Sequence, residues 1–347
     1  MWRTERGTKL TVIGEDIHAT RIVLRGGRHV ARTADGREAL RFSDEAAVER
    51  LLPIPEAAFD GADGSRVKQV KAAILAATGT ARDDAAAGLA YLSALALRQE
   101  AAGADYLDLN VDEVTADPGG QRAAMAWLVG VVETVAGVPV ALDSSSAATI
   151  AAGLAASTRP HGAPLLNSAS LERPEVLELA ASNDCPVVLS AAGAGGMPSG
   201  VDERVANGRR IVEGALGAGL ALDRLHLDAL VLPVGVDPEV GGHYLEAVRA
   251  LRDAFGPSLH LTGGFSNVSF GLPGRRLLND VFLALAVDAG ADSGIIDPVA
   301  SDPARVFGMD RDSRAWQLAA DLLEGRDPYG LAYLAAFRAG ELEPSPA

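Results

Sequence analysis

A single cysteine, Cys185, stands among 347 residues. One thiol can build neither a disulfide framework nor a thiolate zinc site within one chain. Its place just before the apolar run Pro186-Val187-Val188-Leu189 reads as a small buried side chain. Aromatic residues are also scarce, at 5%. Cations are outnumbered, with 31 Lys and Arg against 46 Asp and Glu, a net charge of −15. Nucleic-acid binding needs clustered cations to neutralise phosphate, so this balance argues against it. No run of 18 apolar residues exists, which argues against a membrane-spanning helix. Met1–Leu10 is charged and lacks the apolar core of a secretory leader, so a cytoplasmic chain is expected. The six histidines show no metal-like spacing, no Gly-x-Ser-x-Gly elbow is present, and no metal site is expected.

What is present is 48% hydrophobic and rich in Ala and Gly, enough for a large core with close helix–sheet packing. Short apolar runs alternate with longer helical patterns. The expected strands are Leu10–Ile13, Tyr106–Leu109, Val140–Leu142, Leu165–Asn167, Val187–Ser190, Leu225–Leu227, Leu259–Thr262 and Ser293–Ile296. The expected helices are Ala85–Ala102, Arg122–Val135, Ala147–Ala156, Pro174–Ser182, Asp202–Ala218, His243–Phe255, Leu277–Ala289 and Pro303–Leu323. Strand–helix alternation implies right-handed crossovers and a parallel sheet, and eight repeats predict an α/β fold of the (β/α)8 TIM-barrel class. A doubly wound sheet would want a Gly-rich fingerprint after the first strand, and Gly14-Glu15-Asp16-Ile17-His18 is not one.

The rhythm breaks once. The stretch between the first strand and the first barrel helix is far longer than an ordinary βα loop. Within it Arg21–Leu24, Arg28–Arg32 and Glu38–Phe42 read as strands, with turns at Gly26-Gly27 and Ala34-Asp35-Gly36. A small β-meander over residues 20–60, inserted after strand one of a single domain covering 1–347, is expected. It carries Arg21, Arg25, Arg28, Arg32, Arg37 and Arg41. Residues 1–80 have a net charge of +2, and the remainder −17. The plain reading is a solvated hairpin face. The sharper one is a docking surface for an acidic partner or a polyanionic ligand tail.

In a barrel, the residues at the carboxyl ends of the strands face the active site. Here they are Glu15 and Asp16, Asp108 and Asn110, Asp143, Asn167, Asp228, Asn267 and Asp297. Carboxylates and amides dominate. A buried carboxylate needs donors, and a heterocycle with an amino–imino edge offers two parallel N–H groups. Asn can read lactam and ring-nitrogen edges. Pterins have this pattern of edges. Each residue also has a structural reading: Asp143 could cap the next helix, Asn167 could cap a turn, and Asp108, Asn110 and Asp228 could brace loops. The run Gly264-Phe265-Ser266-Asn267-Val268-Ser269-Phe270-Gly271, with Arg275 and Asn279 downstream, forms a tight turn that places an amide at a strand end.

The segments Ile13-Gly14-Glu15, GADYLDLN (Gly103–Asn110), ALDSS (Ala141–Ser145), LLNSAS (Leu165–Ser170), LHLDAL (Leu225–Leu230) and GFSNVSFGLPGRRLLN (Gly264–Asn279) come in an order that resembles the pterin-binding barrels. They are similar in particular to the methyltetrahydrofolate:corrinoid methyltransferase branch, which includes the folate domain of cobalamin-dependent methionine synthase. The resemblance covers Thr11–Gly14 and then about residues 85–300. It implies methyl transfer between N5 of 5-methyltetrahydrofolate and the cobalt of a corrinoid (cobalamin) held by a partner protein, in a homodimeric enzyme. It further implies that Asp143, Asn167 and Asp228 bind the pterin ring and that Asp108 and Asn110 complete the floor. Asn267 would act at N5, with Asp143 as the second catalytic group, and Arg275 would lie on the folate side. The chain departs from the family at Asp228-Ala229, where Asp-Pro is usual, and in the apolar loop Ala191–Gly196. Asp16-Ile17-His18-Ala19-Thr20-Arg21 is no Asp-x-His-x-x-Gly cobalamin motif. Dihydropteroate synthase, with the same barrel, and a non-catalytic pterin-binding subunit are the alternatives.

Overall fold

The computed structural model describes Trp2, Arg3 and residues 9–342. The reading of Met1–Leu10 therefore falls partly outside the described residues. The chain divides into two compact units: Gly14–Asn167, and a second made of the chain up to Ile13 and from Ser168 onward.

β1 (Thr11–His18) leads into the first unit and continues past the apolar run to His18. Its polar residues stay in the strand because they find partners. Arg21 pairs with Asp16 at 2.9 Å and Glu15 at 3.3 Å, and the Asp16 N–H donates to Gln99 Oε1 at 2.9 Å. Gly14 makes this possible, since a Cβ there would lie 2.5 Å from that same Gln99 oxygen. The inserted segment holds β2 (Ile22–Leu24), β3 (Val30–Arg32), β4 (Glu38–Ser43), β5 (Glu49–Pro53), β6 (Phe59–Asp60) and β7 (Arg66–Lys68). They form two three-stranded sheets, β2-β7-β6 and β3-β4-β5. The turn at Gly26-Gly27 does not join paired strands. Ile22, Val23 and Leu24 pair with Lys68, Val67 and Arg66, and the Arg25 N–H continues that ladder to Ser65 O. Most of the arginines are taken up locally: Arg21 as above, Arg25 by Glu38, Arg37 by Asp35 and Asp84, and Arg41 by Glu49 at 3.8 Å.

α1 (Gln69–Ala77) and α2 (Arg82–Ala101) pack on each other. α1 has no exposed residue, with five of its nine buried and the others half-buried, so it lacks a solvated polar face. Then come β8 (Tyr106–Asn110), α3 (Pro118–Val135), β9 (Val140–Asp143), α4 (Ala147–Ala156) and β10 (Leu165–Ala169). Asp117 caps α3, with Pro118 in its first turn, and Ser146 caps α4.

The second unit continues with α5 (Glu175–Ser182), β11 (Val187–Ser190), α6 (Val201–Gly217), β12 (Leu225–Asp228), α7 (Val240–Phe255), β13 (His260–Thr262), α8 (Arg275–Ala289) and β14 (Ser293–Ile296). The single helix expected over Pro303–Leu323 is two, α9 (Pro303–Phe307) and α10 (Arg314–Leu323). Gly308 ends the first and Ser313 caps the second. α11 (Leu331–Arg338) comes last. Cys185 is buried, its thiol 3.6 Å from the Asn183 carbonyl.

β1 and β8 to β14 form one eight-stranded sheet in the order β13-β12-β11-β10-β9-β8-β1-β14. The two ends of that order meet, because Asp292 and Ile295 donate backbone N–H bonds to Leu261 O at 3.2 Å and Gly263 O at 3.0 Å. Eight parallel strands with intervening helices form the expected (β/α)8 barrel.

At the amino ends of β12 and β13 lies a polar cluster with no counterpart among the expected site residues. The His226 and His260 rings stack at 4.7 Å. His226 Nδ1 lies 2.9 Å from Ser293 Oγ, and His260 lies 3.0 Å from Asp292, which also pairs with Arg252 at 3.0 Å. Burial, helped by the neighbouring His260, pushes the His226 imidazole down to about 3 from 6.5. The folded chain therefore holds His226 neutral where the unfolded chain would protonate it. Its contribution is complete above pH 6.5 and is lost as pH falls toward 3, by up to about 1.4 kcal/mol per pH unit. The destabilisation caused by His226→Gln, read from urea midpoints, should be largest above pH 6.5 and shrink steadily at pH 6, 5 and 4.

Candidate functional site

In the first unit, in-register parallel pairing sets polar residues side by side. Asn110 pairs with Asp143 across β8 and β9, and Asp143 pairs with Asn167 across β9 and β10. Parallel partners point to the same face, so the three side chains form one row at the strand ends. The Asn110 amide donates to Asp143 Oδ2 at 2.9 Å. Asp108, one pleat below Asn110, is 2% exposed and receives only the Asn167 amide, at 3.3 and 3.5 Å. Burial first, and then the negative charge of Asp143, holds the Asp108 carboxyl well above the ordinary carboxylate range. Ser146 is the α4 cap, which leaves Asp143 free of that task. Asn110 does brace its loop through the Asp112 N–H at 3.1 Å, and Asp112 in turn holds Ser144 and Ser145. One member of this cluster has no place among the expected site residues: His18, whose Nε2 lies 3.2 Å from Asp143 Oδ2. The only signal for it was strand alternation from Asp16, legible once β1 is known to run to His18.

The second unit carries an equivalent row. Ser190, Asp228 and Thr262 pair in register across β11, β12 and β13. Burial pushes the Asp228 carboxyl up to about 6, although it accepts the Leu230 N–H at 2.7 Å. That bond holds Leu230 in the left-handed region, at φ 69°, a conformation costing a bulky residue about 1–3 kcal/mol. Thr262 Oγ1 is buried with no partner among the described residues, and so are Nε and Nη2 of Arg204. Arg204 Nη1 donates to Gly200 O at 3.2 Å, and its charge acts favourably on Asp228. Neither residue was among those expected, because Arg204 reads as one charge on an amphipathic helix and Thr262 as an ordinary strand end. The apolar loop after β11 is held by its own backbone, with Gly193 and Gly196 bonded to each other, and by the Asn207 amide on Ala191 O at 3.1 Å.

The turn after β13 is a 3-10 segment, Phe265–Ser269. Asn267 is exposed, and its amide has no hydrogen bond among the described residues. It folds back over Gly264, where a Cβ would lie 2.9 Å from Asn267 Nδ2. Arg275 clasps the turn, donating to Ser269 Oγ at 3.1 Å and Ser266 O at 2.9 Å, and Ser269 donates on to Asn279 at 2.6 Å. Its guanidinium thus supports the loop that presents Asn267. Among the described residues no group of three or more His, Cys, Asp or Glu could hold a metal ion, and no helix is long and apolar enough to cross a membrane.

The first row offers more acceptors than internal donors, the match for a ligand edge rich in N–H groups, and the second contributes the Asp228 carboxylate. A family profile described as pterin binding enzyme matches residues 73–297. Methylcorrinoid:tetrahydrofolate methyltransferase of Eubacterium limosum is 28% identical over 260 residues, covering 74% of this chain and 90% of the relative. Methionine synthase of Mycobacterium leprae is 30% identical over 252 residues, 67% of this chain but only 20% of that protein. A solved dihydropteroate synthase of Xanthomonas albilineans, in complex with 7,8-dihydropteroate, superposes with a TM-score of 0.48 at 19% identity, covering 74% of this chain and 87% of that one.

Asp228 is held at a cost in the unliganded protein. Its folded value lies above its unfolded one, so its ionisation penalises folding from about pH 3.8 upward, and the penalty is constant above about pH 6. Asp228→Asn should raise the stability of the ligand-free chain by about 1–3 kcal/mol at pH 8, with the gain vanishing below pH 4. Paired denaturation curves at the two pH values check this.

Proposed function

Because the chain belongs to the pterin-binding enzyme family, we propose that it moves a methyl group between N5 of tetrahydrofolate and the cobalt of a corrinoid carried by a separate protein. The observation that carries this reading is the exposed Asn267 amide, which has no hydrogen bond among the described residues and sits on a turn clasped by Arg275. A primary amide can donate to an amine nitrogen or accept from its protonated form, which is what N5 presents before and after the methyl group leaves. The corrinoid supplies the cobalt that would take the methyl group, and N5 keeps the electron pair of the broken C–N bond and takes up a proton from solvent.

The protein's own part is positioning and electrostatics. Asp143 and Asp228 accept N–H groups of the pterin edge, and each is already aligned by one or two internal donors. Asn167, in register with Asp143, reads the ring as well, and Asp108 and Asn110 complete the floor. Asp16 and His18 are not available as cobalt ligands, because Asp16 is paired with Arg21 and His18 with Asp143. The alternative chemistry of this barrel, displacement of pyrophosphate in dihydropteroate synthesis, would want cations where Asn267 and Ser269 stand.

The direct test incubates the protein with 5-methyltetrahydrofolate and Co(I) cobalamin and monitors the loss of the Co(I) absorbance. Formation of dihydropteroate from a pterin pyrophosphate and p-aminobenzoate would overturn the proposal. Asn267→Ala should lower turnover about 100-fold, the scale of losing one preorganised hydrogen bond to developing charge, with a smaller loss of folate affinity. Asp143→Ala should instead weaken folate binding, about 10-fold or more, as read by calorimetry.

A further inference from the structure

The end of β1 settles which ring nitrogen of His18 carries the proton. The Thr20 backbone N–H, which can only donate, lies 3.3 Å from His18 Nδ1, and Thr20 Oγ1 lies 2.7 Å from the same atom. Nδ1 is therefore the acceptor, and Nε2 is the nitrogen that carries the N–H. That N–H faces Asp143 Oδ2 at 3.2 Å, where the Asn110 amide also donates at 2.9 Å. Both donors converge on one carboxylate oxygen, and Oδ1 of Asp143 has no hydrogen bond among the described residues. The two donors are themselves anchored. The Ala19 N–H donates to the Asn110 carbonyl at 3.0 Å, and Asn110 Oδ1 accepts the Asp112 N–H.

We propose that His18, set by Thr20 to present its Nε2–H, is a positioning residue for Asp143: with Asn110 it saturates one carboxylate oxygen and turns the other to the N–H donors of the bound folate. This rests on the proposed function above and adds to it the device that aligns the carboxylate before the ligand arrives. A carboxylate whose rotation is already fixed spends less of the ligand's binding free energy on ordering. Thr20 is the further link, since loss of its N–H and hydroxyl contacts would free Nδ1 to take the proton instead.

The test compares wild type, His18→Leu and His18→Gln by calorimetric titration with tetrahydrofolate and by steady-state methyl transfer. Leu removes the donor, while the Gln amide nitrogen can stand where Nε2 stood. His18→Leu should weaken tetrahydrofolate binding about 10-fold, the value of one charge-assisted hydrogen bond. The loss should appear in KM far more than in kcat, and His18→Gln should recover most of it. In an Asp143→Asn background the same Leu substitution should cost much less, because the carboxylate it aligns is gone. A His18→Leu protein that is folded and binds as wild type overturns the inference, as does a folded His18→Gln protein no better than His18→Leu. Failure of the wild type to bind tetrahydrofolate would overturn the functional reading as well, which separates the two failures.

Discussion

In-register pairing of parallel strands is the constraint on which the candidate site depends. Side chains on neighbouring parallel strands share a face only when their register matches. Here the register aligns Asn110 with Asp143 and Asn167, and Ser190 with Asp228 and Thr262. A slip of one residue in any of these pairings would turn one polar side chain toward the helices and bring an apolar one into the row. The apolar residues behind the rows, Leu142, Leu166, Leu189, Leu227 and Leu261, are all buried and hold that register. Packing of ordinary aliphatic residues thereby sets the positions of carboxylates and amides with which they share no chemistry.

Holding those groups in place is unfavourable for the protein by itself. Asp108 and Asp228 are both pushed toward the neutral form by burial, Thr262 keeps a buried hydroxyl without a partner among the described residues, and Leu230, bonded to Asp228, is in a left-handed conformation. A chain selected for stability alone would replace such groups with apolar ones. Their occurrence at strand ends, where this fold class places ligands, supports the proposed binding function. The contrast with the opposite end of the barrel is informative. There Asp292 is fully engaged by His260, Arg252 and the Leu261 N–H, a satisfied polar cluster whose task is to hold strands together.

Most of the barrel was legible in the sequence, because each buried strand is a short apolar run closed by a polar residue and each helix is long and bounded. The boundaries of β11, β14 and α4 agree with their sequence reading to the residue. The inserted segment was less legible. Gly26-Gly27 looks like a hairpin turn locally, yet β2 finds its partner in β7, far along the chain, and no local pattern encodes that choice. α1 was hidden because a short helix without an exposed face has no clear amphipathic period. His18 and Arg204 escaped notice for a related reason. A polar side chain is defined by what surrounds it, and their surroundings, Asp143 and Thr20 in one case and the Gly200 carbonyl in the other, are remote in sequence or supplied by the backbone.

By itself the sequence determined the alternation of strands and helices, the polar residues that close the strands, and the turn that carries Asn267. All three are local properties, written in hydrophobic periodicity and in small residues at tight turns. Only the tertiary structure decided which of those polar residues are spent and which are left open. Among the described residues, Arg275 holds its own loop, Asp143 has one oxygen held and one without a hydrogen bond, and the Asn267 amide has no hydrogen-bond partner. The physical reason is that hydrogen-bond satisfaction depends on distance and direction between residues far apart in the chain, and strand register and loop packing set both.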